Sequence, residues 1–322
     1  MRLARSSRTV PLLAVLLPAV LLVLQACGDP VDGEATRRGG IPLDPGYVKD
    51  EVVSEAGVHR RTILTHSYLL HANLVAQMPE PFLVRPFDLK ERVWITAWAS
   101  NTEDPDGRRE PDDIHCHSSL SDKAIQAGQD MFVGVCTDGF TPRFVLPEGF
   151  GIAVDPGDSY FFRPMFNNRR PDPRLARMRV VIDYLTDAEA GGRLTALRGF
   201  AVSATRPDLY YVMPNQDDTK SRAFPMPFSG RIHAIGAHLH PYGRSVELRR
   251  DSDRKVMFTA RMTQAEDLGD WRLSTYVSKE GFYVAKDEPF QVTAVYVNDS
   301  EKRADAMAGF FIFYDPEGKP DK

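Results

Sequence analysis

Eight histidines occur in the chain, and four of them fall in two pairs of the same form, His115-Cys116-His117 and His238-Leu239-His240. On a β-strand, residues i and i+2 project from one face with Cα atoms roughly 6.5 to 7 Å apart, so two imidazoles can converge on one metal ion. Around the second pair, Ile235, Ala237 and Leu239 occupy the opposite parity and are expected to face a core, which leaves His238 and His240 on the other face. An isolated pair of this kind also occurs as ordinary hydrogen-bonded histidines, so the spacing alone does not decide. His233 has the wrong parity for the same ion, and His59, His66 and His71 have no partner at a useful spacing.

The segment from Ile235 to Arg244 (IGAHLHPYGR), with Met307-Ala-Gly-Phe-Phe-Ile-Phe-Tyr314 in the last strand, resembles the C-terminal domain of the copper type II, ascorbate-dependent monooxygenases. These are the peptidylglycine-hydroxylating and dopamine β-hydroxylating enzymes and their bacterial relatives. The resemblance covers about residues 195 to 315, including Asp270-Trp271 and the strand Phe290 to Asn298. It implies a copper ion held by His238, His240 and Met307, at which O2 is activated. Two imidazoles and a thioether suit an ion cycling between Cu(I) and Cu(II), whereas a thioether is a poor ligand for Zn2+ or Mg2+. The fold implied is two consecutive antiparallel β-sandwich domains of the jelly-roll type.

The same resemblance implies a second, electron-donating copper in the first domain, where residues 110 to 166 look like a divergent version of the family segment. The expected adjacent histidine pair is replaced by His115-Cys116-His117, and the third histidine position is taken by Met165. A set of His115, His117 and Met165 would favour Cu(I) and give up its electron less readily. Two alternatives stay open: a structural strand with Cys116 disulfide-bonded to Cys136, and a zinc site using Cys116 with the two histidines. Where family members grip a substrate carboxylate with arginine, asparagine and tyrosine, this chain has Gly236, Gly309 and Phe311. A charged carboxylate would find no partner there, so the substrate expected is small and apolar or aromatic.

The elements that must position these residues read as strands. Met178, Val180, Ile182 and Tyr184 alternate with Arg177, Arg179 and Asp183; Phe290, Val292, Ala294 and Tyr296 alternate with Gln291 and Thr293. Period two dominates, turn clusters such as Asp155-Pro156-Gly157-Asp158 punctuate it, and no long amphipathic helix interrupts; the class is all-β. The length suits two domains of about 150 residues, and the polar stretch Thr186 to Gly192 marks the boundary, giving sandwiches over 46–188 and 189–322.

Ahead of them, Arg2, Arg5 and Arg8 precede an apolar run, Val10 to Leu24, that ends at Leu24-Gln25-Ala26-Cys27. Residues 1–27 therefore read as a lipoprotein signal with Cys27 as the lipidated residue, and 28–45 as a flexible tether. The chain is expected to be exported and membrane-anchored, on the periplasmic or cell-surface side, with the outer membrane favoured because Gly28 follows the cysteine. In an oxidising compartment Cys116 and Cys136 are expected to pair. A net charge of −4 with dispersed basic residues excludes nucleic acid as partner. Three functions fit: a copper monooxygenase using O2 and an ascorbate-like reductant, a non-catalytic copper carrier or buffer, and a structural module that keeps the fold alone.

Overall fold

The computed structural model describes residues 47–321, apart from 54–56, 80–81, 85–89, 122–130, 142, 159, 207–208 and 265–270. The expected signal, Cys27 and the tether lie outside the described residues, as does Asp270. Among the described residues no helix is long and apolar enough to cross a membrane. The protein is all-β and overwhelmingly antiparallel, with sheets packed as sandwiches, as the period-two alternation predicts.

In the first half of the chain, one sheet runs in the order Tyr47–Val52, His59–Leu64, Arg174–Thr186, Val93–Glu103, Phe150–Val154 and Thr195–Ala196; only its last pairing is parallel. A second sheet runs Leu74–Gln77, Tyr160–Asn168, His115–Ser121 and Val135–Asp138. Alternate residues of both sheets meet in a core that includes Ile95, Trp98, Leu120, Val135, Phe162, Phe166, Met178 and Ile182. The expected boundary holds a single helical turn, Asp187–Ala190, capped by the Thr186 hydroxyl on the Glu189 amide, with Gly191 left-handed at its end.

In the second half, a five-stranded sheet runs Tyr276–Val284, Gly230–Leu239, Ala308–Asp315, Arg198–Ser203 and Met131–Val133. Another runs Gln216–Pro225, Pro289–Asn298, Gly243–Arg250, Val256–Gln264 and Trp271–Leu273. Ile235, Ala237, Leu239, Phe310 and Ile312 face the latter sheet and share a core with Val246, Phe290, Val292 and Tyr296. Ala234 and Phe313 face the opposite way, into the core of the first half. There Phe313 meets Trp98 and Phe144, with ring centroids 5.1 and 5.4 Å away. The sheet carrying His238 and His240 is thus covered on both faces, and Met131–Val133, from early in the chain, forms its edge. This accounts for the nearly unbroken apolar run from Ala308 to Tyr314: a strand buried on both sides has no wet face to alternate with.

Candidate metal centre

His238 near the end of the strand Gly230–Leu239 and His240 just beyond it project from one face, with ring centroids 5.0 Å apart. The register supports the parity argument, since Ile235, Ala237 and Leu239 lie in the core behind them. A bulge between Ile232 and Ala234 displaces His233, whose ring lies 4.0 Å from that of Phe150 and whose Nδ1 pairs with the Ser278 carbonyl at 3.1 Å.

The first histidine pair behaves differently. Along the pairing of His115–Ser121 with Tyr160–Asn168, Met165 stands opposite His117 while the next residue, Phe166, stands opposite His115. One strand therefore carries one extra residue, Cys116, in a β-bulge, and the bulge breaks the i, i+2 rule that would have put the two histidines on one face. His115 turns into the first core, where Ser100 Oγ and Thr137 Oγ1 lie 3.4 and 3.5 Å from its ring nitrogens. Burial first, then the neighbouring His117 and His238, push it down to about 3, so it stays neutral. His117 turns the other way, its ring centroid 4.7 Å from that of His238. The expected set of His115, His117 and Met165 is split, with His115 on the side away from the other two.

Cys116, freed by the bulge, points at the second histidine pair. Its Sγ lies 3.2 Å from His240 Nε2 and 3.8 Å from His238 Nε2, and all three donor atoms fall within 4.8 Å of one another. Ligands sharing one ion with bonds of ~2.0 Å to nitrogen and ~2.3 Å to sulfur sit about 3.4 to 3.6 Å apart, so the two sulfur–nitrogen spacings are compatible with one shared ion. His117 Nδ1 lies 3.3 Å from the same sulfur. The expected disulfide is absent: Cys116 and Cys136 are both free and buried. Cys136 pairs across with Ser119, three residues from Cys116. That offset is about 10 Å along a strand, beyond the ~7 Å over which Cα atoms can be bridged.

Both imidazoles are held from behind by carboxylates. His240 Nδ1 pairs with Asp305 Oδ2 at 2.6 Å, and Arg169 grips Asp305 through Nε, at 2.9 Å, and Nη2. Burial raises the Asp305 carboxyl, but the hydrogen bonds from His240 and Arg169 outweigh it and hold the group below its usual range. An ionised Asp305 can only accept, so the proton sits on His240 Nδ1 and the Nε2 lone pair is left for an ion. His238 Nδ1 contacts Asp138 Oδ2, whose Oδ1 accepts from the Phe140 amide at 2.7 Å. Burial is the largest influence on both groups, pushing Asp138 well up and His238 well down. The same burial raises the Cys116 thiol, which makes the bare thiolate costly and a bound cation the natural compensation.

Met307 lies beside this cluster. It is buried, its carbonyl accepts from the His240 amide at 3.1 Å, and the Tyr296 hydroxyl bridges the same carbonyl, at 2.6 Å, and the Met307 amide. Sequence reasoning placed Cys116 in a disulfide and passed over Asp138, Asp305 and Arg169. The one available signal for Cys116 was its position between two histidines; the carboxylates come from strands distant in sequence.

The donors are deeply enclosed, with Cys116 at 2 %, His238 at 4 % and His240 at 1 % exposure. A cavity lined by Trp98, Asp138, Phe144, Gly236, Ala237 and Phe311 lies next to them, with room for about one water molecule.

No family model matches the chain, and no curated protein matches it. Among solved structures it is similar to the STIV MCP, at 10% identity over 84% of this chain and 98% of that one with a TM-score of 0.31. It is also similar to the major capsid protein P2 of bacteriophage PM2, at 13% identity over 85% of this chain and 98% of that one with a TM-score of 0.23.

Proposed function

We propose that this chain holds one copper ion at Cys116, His238 and His240, and serves as a copper-holding protein of the cell envelope, a carrier or buffer. The observation that carries the reading is the convergence of one thiol sulfur and two Nε2 atoms, each imidazole fixed from behind by an aspartate. Carboxylate–histidine–metal relays of this form set the tautomer and raise the basicity of the ligating nitrogen. Thiolate with imidazole suits copper or zinc; the neighbouring Met307 favours copper, as does its higher intrinsic affinity for such donors. The ion would supply redox chemistry, while the chain excludes water from it.

Elemental analysis of protein purified from its native compartment tests this. One copper per chain, lost in Cys116→Ser, is the expected result; stoichiometric zinc overturns the choice of metal, and no metal overturns the centre. Anchoring through Cys27 is tested by fatty-acid labelling that disappears in Cys27→Ala.

The resemblance of the His238-Leu239-His240 and Met307 segments to copper monooxygenases supports a second reading, C–H hydroxylation with O2 and an ascorbate-like reductant. Met307 lying against His240 favours it; enclosure of the donors, with so little space beside them, favours holding the ion over turning over an organic substrate. Ascorbate-driven O2 consumption that depends on Met307 would restore the monooxygenase to first place.

A further inference from the structure

The donor set has one asymmetric side. Cys116, His238 and His240 are buried, whereas His117, against the Cys116 sulfur, is partly exposed, and so is Met165. Met165 is the cross-strand partner of His117. Directly paired residues on neighbouring strands project from the same face with Cβ atoms about 5 Å apart, so the thioether and the imidazole form one two-sided step. Leu120 and Phe162, also mutual partners, lie in the first core on the opposite face, which confirms which way the step looks. Arg163, two residues before Met165 and on the same face, is close enough for its charge to act on His117.

We propose that His117 and Met165 are the loading step of the centre: an incoming ion is taken first by this imidazole and thioether, then passed inward to Cys116, His238 and His240. The inference rests on the copper reading of the buried site. A thioether accepts Cu(I) and binds Zn2+ poorly, and the neighbouring guanidinium repels a dication about twice as strongly as a monocation. The step therefore selects for Cu(I) by rate, before the ion reaches the buried donors.

The test uses metal-free full-length protein mixed with Cu(I) delivered as its bicinchoninate complex, or with Zn2+, followed by rapid mixing. Met165→Leu, which keeps apolar bulk, should slow Cu(I) loading and release about tenfold alike, leaving equilibrium affinity within about threefold and Zn2+ loading unchanged. An unaltered thermal transition in the metal-free variant shows that the fold is kept. Unchanged Cu(I) rates, or equal slowing for Zn2+, would overturn the loading step while leaving the buried centre intact. Failure of the unsubstituted protein to retain copper at equilibrium would remove the centre, and the loading step with it.

Discussion

At the scale of single residues, the proposed centre depends on groups outside its donor set. Asp305 links His240 to Arg169 through both its oxygens, so Asp305→Asn, which leaves one acceptor oxygen, cannot serve both and leaves a half-buried guanidinium without its carboxylate. Copper affinity, read by competition with a chelator, should fall by roughly 10- to 100-fold. Asp138→Asn should act in the same direction through His238. The sequence announced His238 and His240 because regular strand geometry converts a spacing of two into a shared face. It put Cys116 in a disulfide on compartment grounds alone, and the strand rule applied to His115 and His117 is cancelled by a single bulged residue. Nothing in the local alternation marks that bulge; it becomes visible only in the pairing of Met165 and Phe166 with the neighbouring strand.

At the scale of elements, the loop after the strand Val135–Asp138 brings two backbones together so that Asp138 reaches His238. A Cβ on Gly139 would lie 2.3 Å from the Asp112 carbonyl oxygen and 2.5 Å from that of His115, both fixed backbone atoms. Gly139→Ala should therefore cost about 1 to 3 kcal/mol in denaturant unfolding and, by shifting Asp138, weaken copper binding as well. The strand Arg174–Thr186 offers a different handle. Asp183 accepts from Arg60 Nε at 2.8 Å and from Arg143 Nη2 at 2.6 Å. Burial raises this carboxyl, but the two guanidinium partners outweigh it and the group is lowered in the folded protein. A depressed carboxyl stabilises the fold above its unfolded value of about 3.9, and that contribution is lost as pH falls through the lower folded value. Melting temperature should accordingly drop below about pH 4, and Asp183→Asn should be less stable at neutral pH with a flatter acid limb. The alternating strands themselves were legible, because Met178, Val180 and Ile182 carry period two over a long run. The pairing of Met131–Val133 with Arg198–Ser203 was not, since strand partners distant in sequence leave no trace in either segment.

At the scale of the whole molecule, the sheet that carries His238 and His240 is shared between two cores. Phe310 faces one and Phe313 the other, and both are almost fully buried. Phe310→Ala and Phe313→Ala should each cost about 3 to 5 kcal/mol, and each should appear as a shift of a single melting transition, because either cavity loosens the same sheet. The central strand of this sheet, Ala308–Asp315, follows all the donors in sequence and is flanked by Gly230–Leu239 and Arg198–Ser203. A ribosome that stopped just before Ala308 would already have released Cys116, His117, His238 and His240, yet the strand bearing two of them would have no neighbour on one side. Such a truncated chain contains every donor and should bind no copper, so the ability to take up the ion arrives only when this strand does.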